Sequence, residues 1–180
     1  MNEFGELRRI VKDDLELMRA WRNAPEISSK MYTRHEISVE EHQAWWSRTQ
    51  DREDKAYFMY EDAGEPLGVV GFTEIDRTNQ NCFWAFYASP GAPRGTGSRM
   101  ELLALEHVFR TLYLKKLSCE VLAFNESVIR LHKKFGFQKE GVFRMHHKID
   151  DAYVDVVRLA LLSHDWAAAR ESALAKLSNR

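Results

Sequence analysis

The sequence predicts a mixed α/β fold on a central, mostly antiparallel twisted sheet, and three observations carry that expectation. Short apolar runs separated by polar turns fill the stretch from Ala56 to Ala88, which is the pattern of a strand meander. The glycine-containing segment Ser89-Pro-Gly-Ala-Pro-Arg-Gly-Thr-Gly-Ser98 then marks a change to alternating helix and strand patterns, as in mixed α/β proteins. Finally, 44% of the 180 residues are hydrophobic, and 26 Lys and Arg face 27 Asp and Glu. A chain of that size can bury a core without staples. It is too apolar and too evenly charged for a disordered one.

The elements follow in order. Leu7 to Val11 reads as a first strand. Asp13 and Asp14 then open a helix with Leu17, Met18 and Trp21 on one face, and Pro25 stops it. Ser38 followed by Glu41 has capping-box spacing and starts a second helix through Trp45 and Trp46. Ala56 to Glu61 and Leu67 to Ile75 make two strands joined by a turn over Asp62–Gly64, and Cys82 to Ala88 makes the third.

Beyond the glycine turn, Leu102, Leu105, Phe109 and Leu112 stand at helical spacing. Leu117 to Phe124 is a strand, and Ser127 to Phe135 is a short helix with Val128, Leu131, His132 and Phe135 on one face, ended by Gly136. Phe137 to His146 and Tyr153 to Leu162 form a closing strand pair, and the Ala-rich tail 164–180 reads as helix. The order is β-α-α-β-β-β-α-β-α-β-β. No repeat or linker divides it, so residues 1–180 are expected to form one domain.

Composition also narrows the function. A net charge of −1 argues against nucleic acid as a partner. No apolar run approaches the roughly 20 residues of a membrane span. The N-terminal MNEFGELRRIVKDD carries no apolar signal core, so a cytoplasmic location is expected. Cys82 and Cys119 sit in apolar segments and read as reduced core thiols. His146 and His147, adjacent on a strand, face opposite ways, and no metal site is expected.

The glycine turn is the strongest chemical signal. Closely spaced glycines before a helix let backbone N–H groups converge at the positive end of its dipole, a cradle suited to a pyrophosphate. An ordinary turn and helix cap would have the same residues. Neither a Walker pattern nor the six-residue dinucleotide fingerprint is present. Arg94 and Arg99 could add charge.

Context supplies more. The segment from Phe83 to Gly141, with the glycine turn, Asn125 and Phe135-Gly-Phe137, resembles the acetyl-CoA-binding half of the GNAT superfamily of acyl-CoA N-acyltransferases. Arg94, Gly95, Thr96, Gly97 and Ser98 are thereby implied in the pyrophosphate loop, with Asn125 reaching the cofactor from the next strand's end. The backbone around Tyr87 and Ala88 is implied to pair with the pantetheine arm and to stabilise the oxyanion. The family's usual Gln or Arg three residues before the first glycine of the pair is Ala92 here. Its usual general-acid Tyr matches His132, which reads equally as a satisfied core histidine or as the group that protonates the leaving thiolate.

The likeness extends to WRN at 21–23, EEHQAWW at 40–46 and LGVVGFTEID at 67–76. That set is similar to the branch acetylating the 4-amino group of UDP-linked 4-amino-4,6-dideoxy sugars in pseudaminic acid biosynthesis, which feeds flagellin glycosylation. It implies Arg22, Asn23, His42, Thr73 and Tyr87 as contacts to the nucleotide sugar. Glu74 and Asp76, two apart on one strand face, are candidates for the general base. Ribosomal-protein N-terminal acetyltransferases share several of the same blocks, so a peptide amine is an alternative acceptor. A CoA-binding module without catalysis is a third reading, and a homodimer is compatible with all three.

Overall fold

The computed structural model describes residues 3–178; the outermost residues of the expected domain and tail lie outside that range. One seven-stranded sheet runs through it. The strands are β1 (Glu6–Arg9), β2 (Ala56–Asp62), β3 (Glu65–Asp76), β4 (Asn81–Ala88), β5 (Lys116–Leu122), β6 (Gln138–Ile149) and β7 (Ala152–Leu162). Their spatial order is β1-β2-β3-β4-β5-β7-β6. Every neighbouring pair is antiparallel except β4 with β5.

The helices are α1 (Leu15–Asn23), the single turn α2 (Pro25–Ser28), α3 (Val39–Thr49), α4 (Thr96–Glu106), α5 (Glu126–Lys134) and α6 (Ser163–Ser178). The mixed α/β class and the predicted order hold, with α2 as an added turn. Ser38 caps α3 by accepting the Glu41 N–H at 3.1 Å. The return half of the box is missing, because the Glu41 carboxylate lies 3.0 Å from His35 instead.

Two apolar layers flank the sheet. On one side α4, α5 and α6 bury Met100, Leu105, Phe135 and Trp166 against Val70, Phe72, Trp84 and Leu117. On the other, α1 and α2 bury Met18, Trp21 and Ile27 against Met59 and Val69, with Trp45 and Tyr87 at the margin. Sequence periodicity predicts a continuous third helix through Leu112, but after Glu106 the chain widens into a π turn over His107–Thr111. The Leu112 N–H there reaches back five residues to the His107 carbonyl at 2.9 Å. The tail helix packs on its own chain: Glu106 of α4 accepts Trp166 Nε1 at 3.2 Å and holds Arg170 through two contacts of 2.8 and 2.9 Å. Cys82 and Cys119 are buried and free, as expected.

β3 contains a local break that matters for the site. Its register with β4 shifts between Thr73 and Asp76, and Glu74 takes a positive φ of 51°. A bulge of this kind interrupts the alternation of faces.

Candidate active site

The parallel pair is short. β4 and β5 are in register only over Asn81–Phe83 and Lys116–Ser118. Beyond Phe83 they part, while β4 stays paired with β3 as far as Ala88. A cleft of about 580 Å³ opens between them, lined by Trp84–Ala88 on one wall and Cys119–Val121 on the other. Gly97, Asn125 and His132 also line it.

The direction of the free strand edge follows from two contacts. Ser89 N donates to the Leu67 carbonyl at 2.8 Å, and a Cβ on Gly68 would lie 2.8 Å from the Tyr87 carbonyl, so both peptide groups turn towards β3. Strand alternation then aims the peptide groups of Ala88 and Phe86 into the cleft. Of the two residues implied for the oxyanion, Ala88 presents its N–H to the cleft and Tyr87 does not.

At the far end of β4 the chain turns into α4 through Gly95, whose φ of 102° is easily reached only by glycine. Among the described residues, the N–H groups of Arg94, Gly95 and Gly97 have no protein acceptor, whereas those of Thr96 and Ser98 bond to Pro93 and Gly95 carbonyls. The Thr96 hydroxyl is likewise spent on Pro93 O at 2.8 Å. Thus three amides of the predicted loop stay available and two are consumed by the turn itself. Gly97 also leaves room, since a Cβ there would meet Leu131 and Phe86 only at 3.4 and 3.5 Å. Free N–H donors at a helix N-terminus beside an open strand edge fit a pyrophosphate followed by an extended amide-bearing arm. The side chain of Arg94 is exposed and lines no part of the cleft, and Arg99 is paired with Asp62. The cradle is therefore built from backbone.

Asn125 caps α5 from the cleft wall. Its Oδ1 accepts the Ser127 hydroxyl at 3.1 Å, which leaves the amide Nδ2 for a ligand. His132, on the same helix, is only 2% exposed. Its Nδ1 lies 2.9 Å from Oε1 of Glu101, a carboxyl with no exposed surface whose Oε2 has no partner. Burial pushes the Glu101 carboxyl above the usual range, opposed by His132.

A second cavity of about 330 Å³ lies on the other side of β4, lined by Arg22, His42, Trp45, Arg48, Tyr57 and Tyr87 among others. Tyr87 lines both spaces and joins them. The Arg22 guanidinium stands 5.8 Å from the Tyr87 ring centroid, and its Nη1 is buried without a partner. His42 stacks on Trp45 with centroids 5.1 Å apart. Its pKa is lowered, by burial first and then by Arg19 and Arg22. Burial also holds the Tyr87 phenol well above its ordinary value, so it stays a hydrogen-bond donor.

Several predicted residues fall elsewhere. Asn23 is a strut: its side chain donates to the Ile37 carbonyl at 3.0 Å and accepts the Ile37 N–H at 2.9 Å. Thr73 pairs with Phe83 and lines neither cavity. Glu74 is exposed in a shallow depression with Glu53, Asp54 and Asp76. It lies five positions along the strand from Val69, which faces Tyr87, a span of about 17 Å. The bulge also breaks the shared face expected for Glu74 and Asp76. The Asp76 carboxylate closes its own turn by accepting both nitrogens of Asn79 at 2.8 and 2.7 Å. Conversely, sequence reasoning missed Tyr57, Trp45 and Glu101. Only Glu101 left a signal, a carboxylate at helical spacing with Leu105 and Val108. Among the described residues, no group of three or more His, Cys, Asp or Glu is placed to hold a metal, and no helix is long and apolar enough to cross a membrane.

Solved structures of known proteins share this fold. The spermidine N-acetyltransferase from Vibrio cholerae, solved in complex with CoA and spermine, superposes with a TM-score of 0.86 over 92% of this chain and 99% of that one, at 24% identity. Acetyltransferase PseH of Campylobacter jejuni (strain 81-176) is 27% identical over 137 residues, 76% of this chain and 83% of that protein. Spermidine N(1)-acetyltransferase of Escherichia coli K12 is 25% identical over 169 residues, 93% of this chain and 90% of its own. The acetyltransferase (GNAT) domain family matches residues 6–138. With that match spanning most of the chain, the protein belongs to the GNAT acetyltransferase family and is an acetyl-CoA-dependent N-acetyltransferase.

Proposed function

We propose that the enzyme acetylates the 4-amino group of a UDP-linked 4-amino-4,6-dideoxy sugar by direct transfer, the step that serves pseudaminic acid biosynthesis and, through it, flagellin glycosylation in the cytoplasm. The observation that carries this reading is the second cavity. Its half-buried cation, Arg22, has a buried, unpartnered Nη1, and a second cation, Arg48, stands with His42 and three aromatic rings around it. Guanidinium groups beside aromatic faces suit a diphosphate and a base. They oppose a polycation such as spermidine, because among the described residues only one carboxylate, Glu41, lines that space and it pairs with His35. Glu120 in the first cleft is likewise neutralised by Arg158 at 3.2 Å and bound by the Tyr32 hydroxyl. Acetyltransferase PseH of Campylobacter jejuni is among the relatives to which this chain is similar.

In this reading the chain acts as a single catalytic domain. The amides of Arg94, Gly95 and Gly97 hold the pyrophosphate of acetyl-CoA, and the free edge of β4 pairs with its amide-bearing arm. Acetyl-CoA supplies the activated acetyl group. The Ala88 N–H, fixed on the cleft wall by the β3–β4 pairing, donates to the developing oxyanion. Arg22, His42 and Tyr87 orient the nucleotide sugar so that its amine enters past Tyr87. With Glu74 out of reach, His42, neutral at the pH where the amine reacts, receives the amine's surplus proton. His132 supplies the proton to the leaving sulfur.

The test is thiol release from acetyl-CoA with a UDP-4-amino-4,6-dideoxy sugar, a Ser- or Ala-starting peptide, spermidine and an aminoglycoside. The expected result is a kcat/KM for the nucleotide sugar at least about 100-fold above the rest, the margin that a site built to bind a polar group can provide. Preference for spermidine or the peptide refutes the acceptor. Silence on all four, with acetyl-CoA still bound, would leave a CoA-binding module.

A further inference from the structure

One buried group has no part in the scheme above. Glu101 sits on α4, 0% exposed, in the layer that packs against β4. Its Oε1 meets His132 Nδ1 at 2.9 Å, and its Oε2 has no hydrogen-bond partner among the described residues. A carboxyl is costly to bury, and a Gln, Met or Leu would fill the same volume without a charge. Its one polar partner is the side chain that the cleft needs as an acid.

The surroundings of His132 point the same way. Trp84, Phe86 and Phe137 stand around its ring with centroids 5.3, 5.9 and 5.1 Å away. Three aromatic rings and one carboxyl therefore fix the imidazole plane. With Nδ1 committed to Glu101, Nε2 is the nitrogen left to face the cleft, which His132 lines. Held this way, the imidazole has one nitrogen tied to the carboxyl and the other free to present a proton to the cleft. The other titratable group close to Glu101 is the Cys119 thiol on β5, which burial holds protonated.

We propose that Glu101 is a positioning residue for the general acid: it anchors Nδ1 of His132, sets Nε2–H towards the leaving sulfur, and shares with the ring the proton held between Oε1 and Nδ1. This rests on the acetyl-transfer reading above and adds the element that lets a histidine do the work. As the amine nitrogen bonds to the acetyl carbon and the carbon–sulfur bond breaks, sulfur leaves with the electron pair. The proton on Nε2 passes to sulfur and gives the free thiol. His132 is left neutral, still donating Nδ1–H to the Glu101 carboxylate. The acetylated nitrogen loses one proton to His42 and thence to solvent, and solvent returns one to Nε2, so protons balance over the cycle.

The experiment is a double-mutant cycle on Glu101→Gln and His132→Ala, followed by thiol release with whichever amine the wild type acetylates. Glu101→Gln should lower kcat by about 10- to 100-fold, the range of a general-acid contribution, with the KM for acetyl-CoA and the thermal midpoint almost unchanged. In the His132→Ala background the same substitution should cost almost nothing, because the two residues act as a unit. His132→Tyr gives a second background: a phenol donates its own proton, so Glu101→Gln should again have little effect there. Wild-type kcat in Glu101→Gln, or an equal loss in all backgrounds, overturns the proposal and leaves Glu101 a packing residue.

A readout independent of turnover is the imidazole N–H spectrum of the free enzyme. A downfield, exchange-protected resonance should be present in the wild type and lost in both single variants. Its absence from the wild type refutes the Nδ1–Glu101 bond. An enzyme active on spermidine but silent on the nucleotide sugar would refute the acceptor while leaving both the cycle and the spectrum readable.

Discussion

Gly97→Asp separates the cofactor cradle from the stability of the fold, because the two should move in opposite directions. Gly97 is the second residue of α4, its N–H has no protein acceptor, and a Cβ there meets only Leu131 and Phe86 at ordinary contact distance. A carboxylate at that position lies beside the free amides at a helix N-terminus, where an anion stabilises the helix by about 0.3–1 kcal/mol. The variant should therefore unfold at the same temperature or slightly higher. A pyrophosphate seated on the same amides would meet that carboxylate at about 5 Å. With an effective dielectric of 20 to 40, the nearest charge pair alone costs roughly 2–3 kcal/mol. That predicts a loss of acetyl-CoA affinity of about 30- to 150-fold.

Titration calorimetry with acetyl-CoA, beside thermal unfolding, measures both quantities. Gly97→Ala is the steric control and should bind almost as the wild type does. Raising salt from about 0.1 to 1 M shortens the Debye length from about 10 to 3 Å, so the gap between the Asp and Ala variants should narrow. Wild-type affinity in Gly97→Asp would refute the placement of the pyrophosphate. A loss shared by both variants and indifferent to salt would show crowding rather than charge.

Other outcomes follow from the same geometry. Arg22→Ala should raise the KM for the nucleotide sugar by about 10- to 100-fold, the loss of one buried charge-assisted contact, and leave acetyl-CoA binding unchanged in calorimetry. Glu74→Gln should keep full activity in the thiol-release assay, since its carboxylate lies outside both cavities. His107 tests stability against pH. Its ring lies between Phe58 and Phe72, and burial first, then Arg9 and Arg77, push its pKa down to about 4. The folded state thus favours the neutral ring, so this contribution is complete above the unfolded value of about 6.5 and is lost as pH falls from there towards about 4. Discounted for partial exposure, it amounts to roughly 1–2 kcal/mol. Denaturant unfolding of His107→Leu should lack this portion of the acid dependence.

Local signals in the chain located most elements because each rests on neighbours in sequence. Ser38 three residues before Glu41 predicted the cap of α3, and Gly136 predicted the end of α5, where its φ is 100°. Leu102, Leu105 and Phe109 predicted the buried face of α4, although not the π turn that follows. In that turn His107 packs against two rings from distant strands, a contact that helical spacing cannot report. The pair Glu74 and Asp76 failed for a related reason. Alternation assigns two residues to one face only while the strand is regular, and the bulge after Thr73 belongs to the β3–β4 register.

By itself, the sequence determined the class of fold, the order of elements and the glycine turn before α4. These depend on periodicity, on caps and on the backbone freedom of single glycines, all written within a few residues. Tertiary structure decided which of the marked residues meet. It parted β4 from β5 beyond Phe83, turned the Ala88 amide into the cleft and the Tyr87 peptide away, and diverted Asn23 to brace Ile37. It also brought Glu101 to His132, 31 positions along the chain, at 2.9 Å. Such contacts depend on strand order and on the packing of helices across the sheet. No local pattern carries that information, because the free energy that selects the contact lies in burying both partners together.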